Sequence, residues 1–125
     1  MHQWFVKRGR IGIVKDGDFI LFDIDSEGSE SCLLTALDAK EIADILTVVA
    51  HEIWENQTER GEYTQQYKIT DSGMYQWVNI DSEIFVSVSD DSSAIVITLI
   101  GASPFKMDVS QAVEFIQIVQ SFLSA

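Results

Sequence analysis

Leu37-Asp38-Ala39-Lys40-Glu41-Ile42 and Met107-Asp108-Val109-Ser110-Gln111-Ala112 repeat one pattern: apolar, Asp, two residues, Glu or Gln, apolar. In each, the Asp can accept from first-turn backbone N–H groups while Glu41 or Gln111 reaches back to the cap. The flanking apolar pairs, Leu37 with Ile42 and Met107 with Ala112, are placed as hydrophobic staples. Each stretch therefore opens a helix. The first runs from Asp38 to about Asn56, with Ile42, Ile45, Leu46, Val49 and Ile53 as one apolar stripe. The second spans about 109–123 and buries Ala112, Val113, Phe115, Ile116, Val119 and Phe122. The match continues through Asp44/Glu114, Ile45/Phe115, Leu46/Ile116 and Val49/Val119 at a constant offset of seventy.

Outward from these helices the pattern is that of strands. Before the first helix, strands are expected near 3–8, 11–15, 18–24 and 31–35. Lys15-Asp16-Gly17-Asp18 forms a tight hairpin in which Asp-Gly supplies positive φ angles. Beyond the polar segment 57–61 a period of two returns, with Tyr63, Gln65, Tyr67 and Ile69 on one strand face. Turns at Asp71-Ser72-Gly73 and Asp90-Asp91-Ser92-Ser93 separate further strands near 74–80, 84–88 and 94–100. The expected fold is α+β: one domain over residues 1–125, built of two ββββα halves at about 1–57 and 58–125. Its antiparallel sheets pack against two amphipathic helices.

This element order, with the two Leu/Met-Asp-x-x-Glu/Gln helix starts, resembles the whirly, Pur-alpha and p15-coactivator type of single-stranded nucleic-acid-binding fold. It is also similar to a small cyanobacterial family of unknown function that shares that fold. The resemblance implies curved antiparallel strands closed by a helix. No signature motif accompanies it, so no functional residue carries over, and a fold does not deliver a function.

Composition narrows the function classes. An apolar content of 46% is enough for a core without metal or disulfide. The lone Cys32 cannot form an internal disulfide and reads as a small buried residue in a reducing cytoplasm. No stretch approaches the roughly 20 apolar residues that span a bilayer. The N-terminal residues Met1 to Arg8 lack the apolar core of a signal peptide, which makes the sequon Asn56-Gln57-Thr58 incidental. Cytoplasmic location and no membrane association are the resulting expectations. A net charge of −12 repels polyanions, although four of the eight basic residues, Lys7, Arg8, Arg10 and Lys15, fall within the first fifteen positions.

Few residues assemble into recognisable chemistry. His51-Glu52-Ile53-Trp54-Glu55 begins like a zinc-protease helix but has Glu55 where the second His belongs. Asp23-Ile24-Asp25-Ser26-Glu27-Gly28 begins like a calcium loop, yet its twelfth position is Leu34. Gly9 and Gly12 bracket Arg10-Ile11 as in a nucleic-acid clamp, in surroundings that read as strand rather than helix. No acid/base pair, nucleophile elbow or phosphate loop emerges, so neither catalysis nor a metal or cofactor is expected.

One constellation offers a binding chemistry. Trp4, Tyr63, Tyr67, Tyr75 and Trp77 fall in expected strands, near Lys7, Arg8, Arg10, Arg60 and Lys68. Aromatics on a sheet beside cations suit base stacking and phosphate contact, though strand aromatics equally serve as core or cross-strand pairs. Trp4, Lys7, Arg8, Arg10, Tyr67, Lys68 and Trp77 are the candidate binding residues. The leading expectation is a non-catalytic interaction or regulatory protein that acts through a protein partner or a homodimer. The alternative is a regulator that binds single-stranded DNA or RNA, which the net charge disfavours.

Overall fold

The computed structural model describes residues 2–7, 9–25, 31–56 and 64–124. The first half contributes β1 (His2–Val6), β2 (Gly9–Asp16), β3 (Phe19–Asp25), β4 (Ser31–Leu34) and α1 (Ala36–Asn56). The second contributes β5 (Lys68–Ile69), β6 (Tyr75–Val78), β7 (Ser82–Val88), β8 (Ile95–Gly101), β9 (Phe105–Met107) and α2 (Val109–Leu123). The strands form two antiparallel sheets, ordered β1-β2-β3-β9 and β4-β8-β7-β6-β5. The fold is α+β. Among the described residues no helix is long and apolar enough to cross a membrane.

Each half gives its last strand to the other. β4 leaves the first sheet and pairs with β8, from Ser31↔Thr98 to Leu34↔Ile95. β9 leaves the second sheet and pairs with β3, from Ile20↔Met107 to Phe22↔Phe105. Both exchanged strands lie directly before a helix, so each helix starts from the opposite sheet. A close approach makes the first crossing possible. Gly9 sits at φ 152°, and a Cβ there would lie 2.1 Å from the Asp25 carbonyl oxygen and 2.7 Å from Cys32 Sγ. Cys32 is fully buried, as its sequence context led us to expect.

Four local expectations need correction. The first helix starts earlier than Asp38, because Thr35 is the better-placed cap. Thr35 Oγ1 accepts from Asp38 N–H at 3.1 Å, Asp38 Oδ2 accepts from Thr35 N–H at 3.4 Å, and Ala39 N–H bonds to Thr35 O. Asp38 is thus the reach-back residue of a capping box, and Leu37 is 65% exposed rather than stapled. At α2 the expectation holds. Asp108 accepts from Gln111 N–H at 2.8 Å and Gln111 Oε1 accepts from Asp108 N–H at 3.2 Å.

Secondly, the expected strand 63–69 shortens to Lys68–Ile69, and Ile69 is 60% exposed. The chain before it is held by Glu114, whose two carboxylate oxygens accept from Gln66 N–H at 3.0 and 3.2 Å. That leaves the Gln66 donor unavailable to a sheet ladder. Tyr63 lies outside the described residues. Thirdly, the second half has an extra strand, since the three-residue Phe105–Met107 was too short to show as a period. The hairpin loop also falls at Gly17-Asp18, where Gly17 alone takes a positive φ of 60°.

The core lies between the sheets and the helices. Its aromatic members connect through α2. Phe22 of the first sheet meets Phe115 at 5.2 Å, and Phe115 meets Trp77 of the second sheet at 5.7 Å. Trp77 touches Tyr67, Tyr67 touches Tyr75, and Tyr75 reaches Phe122 edge-on at 5.8 Å. In the helices, Ile42, Leu46, Val49, Ile53, Ala112, Phe115, Ile116 and Val119 are buried, whereas Ile45 and Phe122 are half-buried and Val113 is 37% exposed.

Candidate interaction surfaces

The candidate aromatics Trp4, Tyr67, Tyr75 and Trp77 pack toward the core. Trp77 is fully buried and its indole N–H donates to Glu114 Oε1 at 3.1 Å. Glu114, itself only 1% exposed, therefore ties β6, α2 and the segment before β5 together. Tyr67 is half-buried within the aromatic chain. Trp4 is half-buried on the other sheet, stacked on His2, with its indole N–H donating to Glu41 Oε2 of α1 at 3.2 Å. These rings sit under the helices on different sheets and do not form one stacking platform.

The cations do not gather there either. Lys7 is exposed where the sheets meet, its carbonyl accepting from Leu33 N–H at 2.9 Å. Arg10 is half-buried on the outer side of the first sheet, 3.7 Å from Asp23 Oδ2, and Asp23 Oδ1 accepts from the Ser103 hydroxyl. Lys68 is exposed on β5. Arg8 and Arg60 lie outside the described residues. His51 Nε2 and Glu55 Oε1 are 3.0 Å apart on the exposed side of α1. Among the described residues no three His, Cys, Asp or Glu side chains converge as a metal site. Asp91 closes the β7–β8 turn by accepting from the Ser93 and Ser89 hydroxyls, and those bonds, Ser93 first, lower its pKa from 3.8 to about 2.

The sheets differ in what they show to solvent. Cross-strand partners share a face, so registers identify each outer surface. On the first sheet the outward rows are Phe5–Arg10–Asp25, Gln3–Gly12–Asp23, Val14–Leu21–Lys106 and Asp16–Phe19. Charges of both signs are spread across it, with Lys106 Nζ 4.3 Å above the Phe19 ring. This is the usual wet side of an antiparallel sheet.

On the second sheet the outward rows are Ser31–Thr98–Phe85–Gln76–Lys68, Leu33–Val96–Ser87 and Ile100–Glu83–Val78. Phe85, Leu33 and Val96 are half-buried, while Val78 and Ile100 are 47% and 55% exposed. None of the five packs against the core cluster. Among the described residues, Glu83 and Lys68 carry charge away from the centre of this grid, and Lys7, bridged to Leu33, with Asp90 and Asp91 adds charge at its β4 end. Ser31 and Thr98 satisfy each other through a 2.6 Å hydroxyl pair. An apolar, nearly uncharged outer face departs from the inside-apolar, outside-polar alternation of a solvated sheet.

Sequence reading placed these strands but not this surface. The signal was present: Ile95-Val96-Ile97-Thr98-Leu99-Ile100 and Ile84-Phe85-Val86 are almost continuously apolar, the pattern of strands covered on both faces. A second concave surface, of about 570 Å³, lies between α1 and α2. It is lined by Ala50, His51, Trp54, Val113, Ile116 and Gln117 among others. Comparison with protein-family models, with curated proteins and with solved structures finds no match.

Proposed function

We propose that this chain is a non-catalytic interaction protein that acts through protein–protein contacts made by the outer face of its second sheet. The observation that carries the reading is the cluster Leu33, Val78, Phe85, Val96 and Ile100 on a face whose charged residues, among those described, lie at its margins: Glu83, Lys68 and, at the β4 end, Lys7 with Asp90 and Asp91. Apolar side chains on the open face of a sheet gain free energy when a partner removes them from water, at roughly 25 cal/mol per Å². A protein surface supplies such cover. A nucleic-acid backbone does not, because it needs clustered cations and this face offers two lysines, Lys7 and Lys68, at opposite edges.

The experiment is cross-linking and mass spectrometry on lysate of the native host, comparing the wild type with Phe85→Glu. Cross-links to protein should cluster on residues of β4, β8, β7 and β6 and disappear in the variant. Cross-links confined to other surfaces would defeat the reading. Mixed-sequence single-stranded 20-mers should bind no tighter than about 10⁻⁴ to 10⁻⁶ M at physiological salt, the non-specific range. Nanomolar binding lost in Arg10→Ala would favour the nucleic-acid alternative.

A further inference from the structure

The partner that this face fits can be argued from its own layout, on the footing of the interaction reading above. Take Phe85, on the central strand β7, as origin. Val78 lies one strand toward β5 and two residues along, because it pairs with Glu83. Val96 lies one strand the opposite way and two residues the opposite way, because it pairs with Ser87. The three apolar residues thus lie on one diagonal. Glu83 is two residues along β7 from Phe85, about 7 Å, and Lys68 is two strands across, about 10 Å.

We propose that the face is covered by a second copy of this chain, packed through a two-fold axis along that diagonal. Rotation about such an axis, about 35° from the strand direction, crosses the strands of the two copies at about 70°. That is nearer to orthogonal than to aligned among the two preferred ways for sheets to stack. Val78, Phe85 and Val96 lie on the axis and each meets its own counterpart, as an isologous interface requires. The rotation also carries Glu83 to within about 4 Å, in the plane of the sheet, of the position of Lys68 in the second copy. The two charges nearest the diagonal, Glu83 and Lys68, are therefore paired with opposite sign.

Net charge supports the same occupant. Two copies at −12 repel one another over any acidic surface, so self-association is favoured on a face whose centre carries no charge. The contact is small. Five strands and about five residues give about 400 Å² per copy in projection, against about 800 Å² per partner in a standard stable interface. A dimer with a dissociation constant in the micromolar range follows, and added salt should tighten it by screening the mutual repulsion.

Sedimentation equilibrium over a concentration series tests the proposal. The wild type should approach twice 14.0 kDa, while Phe85→Glu should stay monomeric with unchanged far-ultraviolet circular dichroism. Val113→Glu, in the groove between the helices, should dimerise like the wild type. Glu83→Lys or Lys68→Glu alone should weaken the dimer about two- to five-fold, and the double exchange should restore it. A wild type still monomeric at about 300 µM overturns the second copy, as this is far above a micromolar dissociation constant. So does a dimer that survives Phe85→Glu or is abolished by Val113→Glu. If the wild type is monomeric but Phe85→Glu still removes the host cross-links, the second copy fails while the interaction reading stands.

Discussion

The two halves share an order of elements and exchange their last strands, yet they treat water and charge differently. In the first half, the outer sheet face carries Arg10, Asp16, Asp23 and Asp25, and α1 presents Glu41, Asp44, Glu52 and Glu55 to solvent. In the second, the outer sheet face is nearly uncharged, and the one carboxylate of α2, Glu114, is buried. Asp44 and Glu114 make the contrast sharpest. They occupy matching places seventy residues apart, but one is solvated and the other is bonded to Gln66 N–H and Trp77 Nε1. Architecture is shared between the halves, whereas chemistry is not.

That asymmetry can be broken at several points. The largest effect is expected at Trp77, where truncation to Ala empties the centre of the aromatic chain and should cost about 3–5 kcal/mol in equilibrium denaturation. Glu114→Ala should follow at about 2–4 kcal/mol, since it strands two donors in a buried place. Asp44→Ala, its exposed counterpart, should stay within about 0.5 kcal/mol. Equal losses at Glu114 and Asp44 would erase the distinction between the halves.

The caps come next. Asp108→Ala and Thr35→Ala should each cost about 0.5–2 kcal/mol, because each removes a side-chain acceptor at a helix start. Asp38→Ala should cost less than Asp108→Ala, because Asp38 makes only the longer 3.4 Å reach-back bond. Should denaturation rank Asp38 above Thr35, the assignment of the α1 cap is wrong.

The smallest effect concerns Asp91. Its carboxyl is held at about 2 against an ordinary 3.8 by the Ser93 and Ser89 hydroxyls. A depressed folded-state pKa favours the charged form in the folded protein. The contribution to stability is therefore complete above about pH 4 and is lost as pH falls through 3.8 toward 2. An NMR titration should place the Asp91 midpoint near 2 in the wild type and higher in Ser93→Ala. An unmoved midpoint in that variant would show that the hydroxyl is not the cause.

How much was legible beforehand depended on whether the determinant was local. Helix stripes such as Ile42-Leu46-Val49-Ile53, the α2 capping box, and the turns at Asp71-Ser72-Gly73 and Asp90–Ser93 were fixed by neighbours within a few residues. Period and propensity report such neighbours. Where α1 begins needed a choice between Thr35 and Asp38, two acceptors three residues apart that bond each other.

The strand exchange was beyond any local signal. β4 pairs with residues more than sixty positions away, and its four residues would suit either sheet. The same holds for the binding residues. Trp4 and Trp77 carry the same β propensity whether they face helices or water, and the register of the sheets turns them inward, while Tyr67 is placed by the Glu114-held segment before β5. Sequence by itself determined that strands alternate with capped helices, that the surface is acidic, and that two strand runs are apolar on both sides. Tertiary structure decided which side of those runs met the core. It thereby left Val78, Phe85 and Val96 aligned on a face that water alone covers poorly, because side-chain direction in a sheet is set by cross-strand pairing and not by the chain itself.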